Sequence, residues 1–138
     1  MMFNRKARSF VTIMIVVALS ALSLRLAIDK IIIYNIQQNQ LLAQVNLKLL
    51  STALENYAKD NKGLYPENID SLTKNKPAYL EKDYLAVPSV RGYEYDCQRL
   101  DSGGYNCSAT PLDCKFSGKM GYSVSTGGLV IAESCDKK

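Results

Sequence analysis

A segment of nine residues, carrying Arg5, Lys6 and Arg8 and no acid, runs straight into fifteen residues, 10–24, without a charge. Nothing else in the chain restricts its folding as much, because a helix of that composition has to leave water for a core or a bilayer. Fifteen residues are fewer than the roughly 20 that usually cross a bilayer. Beyond Arg25, Leu26-Ala27-Ile28 and Ile31-Ile32-Ile33 keep the apolar character. A helix over residues 10–33 would be about 36 Å long, with Arg25 snorkelling towards headgroups. Bases ahead of such a helix tend to stay cytoplasmic, so the chain beyond the helix is expected outside the cytoplasm.

A cleaved signal peptide is the rival reading, with Ser20-Ala21-Leu22-Ser23 as a weak small-residue cleavage site. Against it, neither Gly nor Pro occurs before Gly63, and helix-compatible residues continue far past any such site.

In 138 residues there is room for one small domain after the helix. The net charge of +4 owes three charges to the first nine residues, and beyond them fourteen Lys and Arg face thirteen Asp and Glu. That near balance argues against a nucleic-acid partner. The chain has no His, which removes Ser-His-Asp and Cys-His catalysis and the commonest transition-metal ligand. No enzyme, cofactor or metal is expected. Lys119, Tyr122 and Ser123 are the only imaginable catalytic group, and surface strand residues are the better account of them. Asp101, Asp113 and Asp136 are too scattered for calcium.

Along residues 34–62, Leu42, Val45, Leu49, Ala53 and Tyr57 recur at helical spacing, with Leu47, Leu50, Leu54 and Ala58 widening the stripe. This predicts one helix over about 10–62, the polar run Asn35, Gln37, Gln38, Asn39 and Gln40 standing where it leaves lipid and Gly63 stopping it. Residues 65–72 read as a short second helix with Pro66 in its first turn, and 74–89 as a loop.

The period then changes. Residues 92–99 alternate, Asp101-Ser102-Gly103-Gly104 is turn chemistry, and 105–109 alternate again; 120–125 and 129–132 flank Thr126-Gly127-Gly128. Two hairpins, hence four antiparallel strands, are expected to lay one face on the amphipathic half of the helix, since neither can bury its apolar side alone. Tyr93, Tyr95, Tyr105 and Tyr122 are expected as half-buried packing with wet hydroxyls. Cys97, Cys107, Cys114 and Cys135 match no zinc spacing and point to disulfides outside the cytoplasm. Cys97 and Cys107 lie symmetrically about Ser102, which leaves Cys114 for Cys135, although four cysteines allow three pairings.

The basic start, the apolar helix with Ile15-Val16-Val17-Ala18, the continuation Ala53-Leu54-Glu55-Asn56-Tyr57, then Asp60-Asn61-Lys62-Gly63-Leu64-Tyr65-Pro66 and a small sheet resemble type IV pilins and type II secretion pseudopilins. The resemblance implies an α+β, pilin-like fold in four parts: a basic leader-like segment 1–9, a membrane or filament-core helix 10–33, its amphipathic continuation 34–62, and a disulfide-bonded α+β head 63–138. It implies a bacterial inner-membrane protein with a single pass and a periplasmic or extracellular head. Its partners would be other pilin or pseudopilin subunits, an inner-membrane assembly platform, and a prepilin peptidase cutting between Ser9 and Phe10. Helix packing would run through Met14, Ala18 and Ala21.

Two positions depart from the family. Ser9 stands where leaders usually end in glycine, and Met14 stands where a glutamate pairs with a neighbour's N-terminal ammonium. Sliding the alignment puts Thr12 there, again without a carboxylate. An ammonium buried without its partner is costly, so a minor subunit fits better than the main repeating unit. The alternative is a single-span membrane-anchored binding domain that does not polymerise.

Overall fold

The computed structural model describes residues 3–135, with side chains from residue 9; Met1, Met2 and Asp136, and the side chains of Arg5, Lys6 and Arg8, lie outside the described residues. Helix α1 (Phe3–Asp60) is followed by α2 (Asp70–Thr73) and four strands, β1 (Tyr93–Asp101), β2 (Gly104–Pro111), β3 (Met120–Ser125) and β4 (Val130–Ser134). The strands form one antiparallel meander in the order β1-β2-β3-β4, so the expected α+β class and the two hairpins are present. The chain divides into two compact units, the first ending at Tyr34 and the second beginning at Asn35.

Helix α1 starts at Phe3 and ends at Asp60 rather than spanning about 10–62. At its start no Gly or Pro separates the basic segment from the apolar one, so nothing interrupts the backbone ladder. At its end Lys62 is already left-handed (φ 59°), with Gly63 (φ 84°) behind it. The Gly63 amide closes on Ala58 O at 2.7 Å, a wrap that ends the helix one residue earlier than a left-handed Gly63 alone would do.

Within the second unit, the buried side of α1 is turned from the one periodicity picks out. Ala43, Leu47, Leu50, Ala53 and Leu54 are buried, while Val45 and Leu49 are 44% and 50% exposed. Both sets keep helical spacing, so hydrophobicity alone leaves the rotation open. Polar pairing decides it: Asn46 Nδ2 donates to Tyr95 Oη at 3.0 Å, and Ser51 Oγ lies 2.8 Å from Tyr105 Oη. Turning the helix to bury Val45 and Leu49 would break both bonds inside an apolar core, where an unpaired polar group costs about 1–3 kcal/mol.

The four sheet tyrosines are buried rather than half-buried. Tyr93 Oη donates to Met120 O at 2.7 Å, so with the Asn46 and Ser51 bonds three of these hydroxyls are satisfied by protein instead of water. Tyr93 and Tyr122 stack with ring centroids 6.3 Å apart, and Tyr65 meets Tyr105 edge-on at 5.4 Å. Burial pushes the Tyr93 phenol well above its usual range.

Residues 65–69 are not helical. The Tyr65 amide donates to Ser102 O at 3.2 Å and its hydroxyl to Glu55 at 2.9 Å, which holds the chain against the first hairpin. Helix α2 begins only after Asn68, whose Oδ1 accepts the Ser71 amide at 3.1 Å. Pro66 therefore precedes α2 rather than sitting in its first turn. The 74–89 connection is irregular and strapped down by Leu80, which is buried, and by the Tyr79 hydroxyl on Asp60 at 2.7 Å.

Candidate functional site

The candidate surface is that of α1 in the first unit. Residues 9–31 are all exposed, and Phe10, Met14, Val17, Leu22, Leu26 and Ile31 each leave more than half their surface bare. Its polar side chains are partly masked. Ser20 Oγ donates to Val17 O at 2.9 Å and Ser23 Oγ to Leu19 O at 2.8 Å, so these hydroxyls present little unpaired polarity to an apolar medium. Length and composition make α1 the one helix among the described residues able to cross a membrane.

Met14, Ala18 and Ala21 all lie on this exposed stretch, as do Ser9 and Phe10. Met14 and Ala18 are four apart and Ala18 and Ala21 three apart, so they share one helical face. Ala18, Ser20, Ala21 and Ser23 supply small side chains of the kind that let helices approach closely.

The second unit is where the same helix is fastened to its sheet. Glu55 is the main fastening. Its Oε1 accepts the Tyr105 hydroxyl at 2.9 Å and the Gly127 amide at 2.8 Å, and its Oε2 accepts the Tyr65 hydroxyl at 2.9 Å. Burial pushes the Glu55 carboxyl up, but the Gly127 amide and the Tyr105 and Tyr65 hydroxyls outweigh it and hold the group below its ordinary value. Burial raises the Tyr105 phenol to about 12, the Ser51 bond opposes the rise, and the Glu55 charge adds to it. The Thr126-Gly127-Gly128 turn reaches Glu55 because both glycines are left-handed, at φ 94° and 78°. Periodicity offers no signal for Glu55; the tyrosine-rich strands and glycine turn opposite it are the only hint in the sequence.

At the other end of the unit, Asn39 Nδ2 donates to Ser117 O at 3.1 Å and Gln40 Oε1 accepts the Lys119 amide at 2.9 Å. Two members of the polar run thus serve as anchors for the β2-β3 connection.

The structure links Cys97 to Cys107, ten residues apart, and Cys114 to Cys135, 21 apart. The first bridge depends on an irregularity. The loop is Ser102-Gly103, with Asp101 opposite Gly104, and in a regular ladder that register would put Cys97 opposite Ser108. A bulge at Gln98 restores the facing of Cys97 and Cys107.

Lys119, Tyr122 and Ser123 do not converge. Tyr122 is buried on the inner face, Ser123 lies on the outer face, and the Lys119 amide is taken by Gln40. Asp101 pairs with Arg99, while Asp113 Oδ1 accepts the Lys115 and Phe116 amides. Among the described residues no three potential metal ligands come together.

The chain matches no protein-family model and no curated protein. Among solved structures it is similar to the non-core minor pilin PilV of Neisseria meningitidis, at 16% sequence identity and a TM-score of 0.40, over 75% of this chain and 94% of that one. A likeness of that degree leaves the functional reading to the residues themselves.

Proposed function

We propose that the protein is a structural, pilin-like subunit of a type IV pilus or a type II secretion pseudopilus, held in the bacterial inner membrane by a single pass of α1 and assembled through that helix. The observation that carries this reading is the division of labour along α1. Residues 9–31 are bare and mostly apolar, with Arg25, Asp29 and Lys30 as their charged exceptions, whereas Asn46, Ser51 and Glu55 of the same helix are bonded to the sheet of a disulfide-linked head. A bare helix of this kind has to be covered by lipid or by like helices, and both coverings occur in turn for a subunit extracted from a membrane into a filament. Within the second unit Leu41, Val45 and Leu49, four residues apart and exposed at 56%, 44% and 50%, form an apolar stripe that supports packing against neighbouring subunits.

Met14 argues for low copy. Without a carboxylate there, a processed N-terminal ammonium has no partner in a helix-packed core. The same residue, with Ser9 in place of glycine, favours a second reading, a single-span membrane-anchored domain that does not polymerise. N-terminal sequencing and filament co-purification separate them. A chain beginning at Phe10, found in sheared filaments and enriched there by Met14→Glu, supports the minor subunit. An unprocessed chain that stays with the membrane and ignores Met14→Glu overturns it.

A further inference from the structure

The connection between β2 and β3 is more apolar at its surface than its role as a loop requires. Leu112 and Phe116 are 60% and 62% exposed, and neither packs on the core. The loop is nevertheless well built: Asp113 Oδ1 takes the Lys115 and Phe116 amides, Asp113 O takes the Ser117 amide at 2.9 Å, and Cys114 is bridged to Cys135. Its position is set by Asn39 on Ser117 O and Gln40 on the Lys119 amide, whereas the Ser102 and Gly127 turns lie at the Glu55 end of the same helix. Arg91 joins the loop through the Leu112 amide, bonded to Gly92 O at 2.9 Å. Arg91, Lys115 and Lys119 are exposed there, with Asp113 as the loop's acid.

Chain connectivity bounds the distance from the apolar run. Asn39 is six residues beyond Ile33, about 9 Å of helix, and the headgroup layer outside the hydrocarbon is itself about 5–8 Å deep. Resting on the spanning reading of α1, we infer that the 112–119 loop is a membrane-docking surface, Phe116 and Leu112 entering the headgroup layer while Arg91, Lys115 and Lys119 contact anionic phospholipid. The arrangement suits the interface, where amphipathic surfaces bury apolar side chains shallowly and basic residues gain from anionic lipid. Docking would hold the head against the membrane before assembly, and extraction into a filament would break it.

The chain has no Trp, so Phe116→Trp provides a unique fluorophore in the full-length protein reconstituted into vesicles. Leu64→Trp, at a position 56% exposed near the Glu55 end, is the control. In vesicles containing phosphatidylglycerol, the Phe116→Trp emission should be blue-shifted, quenched by lipids brominated on their acyl chains and shielded from acrylamide, while the control stays accessible. In phosphatidylcholine alone the shielding should fall, and Lys115→Gln and Lys119→Gln should each lower the docking equilibrium roughly fivefold on anionic vesicles. Emission and acrylamide access equal to the control would overturn the inference. So would shielding that follows the protein-to-lipid ratio without bromine quenching, which would mean contact between copies. If carbonate strips the protein from the vesicles, the spanning reading itself fails and the docking surface with it. Retention in the vesicles with a fully wet fluorophore defeats the docking surface alone.

Discussion

Replacing Glu55 tests whether one carboxylate holds the helix, the 65–69 segment and the second hairpin together. Glu55→Ala deletes the acceptor of three bonds. The Tyr105 hydroxyl keeps Ser51 as a partner, and the Gly127 amide lies at the surface, where water replaces the lost acceptor. Each bond is therefore set near the ordinary net value of about 1 kcal/mol rather than the higher figure for a buried charged pair, for a loss of about 2–3 kcal/mol. For a domain of this size that lowers the midpoint of thermal unfolding by about 8–12 °C. Glu55→Gln keeps an acceptor for Tyr105 and Gly127 but loses the charge, and should lose about half as much. Near-ultraviolet circular dichroism of the full chain in detergent, with disulfides intact, reads the tyrosine cluster directly. The pH dependence has a definite sign. Because the folded carboxyl lies below its ordinary 4.5, its contribution is fully present above that value and is lost as pH falls through the depressed folded value. The gap between the wild type and Glu55→Gln should accordingly be widest at neutral pH and close on acidification below about 4.5. A Glu55→Gln midpoint equal to wild type at pH 7, or a gap that widens in acid, would show that the carboxylate charge does not hold these elements together.

Two glycines separate backbone strain from crowding. Gly127→Ala meets no atom within 4 Å but sits at φ 94°, so it should cost about 1 kcal/mol, whereas Gly118→Ala overlaps the Tyr93 hydroxyl and should lower the unfolding midpoint several times more. Removing the Cys114–Cys135 bridge should destabilise by about 3.3 kcal/mol against about 2.7 for Cys97–Cys107, because its loop is longer; chemical denaturation of the paired serine variants would reverse this order if the loop-entropy account is wrong. Deleting Gln98 removes the bulge while leaving Arg99 opposite Asn106 and Cys97 opposite Cys107, so non-reducing peptide mapping should still recover that bridge, and a free Cys97 would show that the bulge itself is required. Ala18→Asp places a lone carboxylate on the apolar helix and should abolish membrane insertion, read as loss of the protein from the carbonate-resistant fraction.

Much of the architecture was legible in the residues because its signals are local. Absence of Gly and Pro before Gly63, a change of period near Gly92, and turn chemistry at Ser102-Gly103 and Gly127-Gly128 each act within a few residues. They sufficed for one long helix, two hairpins and an apolar run along the first part of α1. Tertiary structure decided what local signals leave degenerate. Two stripes on α1 have equal helical spacing, and only Asn46 and Ser51, bonded to Tyr95 and Tyr105, chose which one faces the sheet. Symmetry about the turn brings Cys97 towards Cys107, yet with Gln98 present the two face each other only because that residue bulges out of the ladder. The place of Pro66 before α2 depends on Tyr65 being held by Ser102, far from it along the chain, and by Glu55 of α1. A single polar group gains about 1 kcal/mol from a partner and loses more without one, and where that partner stands is a property of the packed chain, which no stretch of sequence carries by itself.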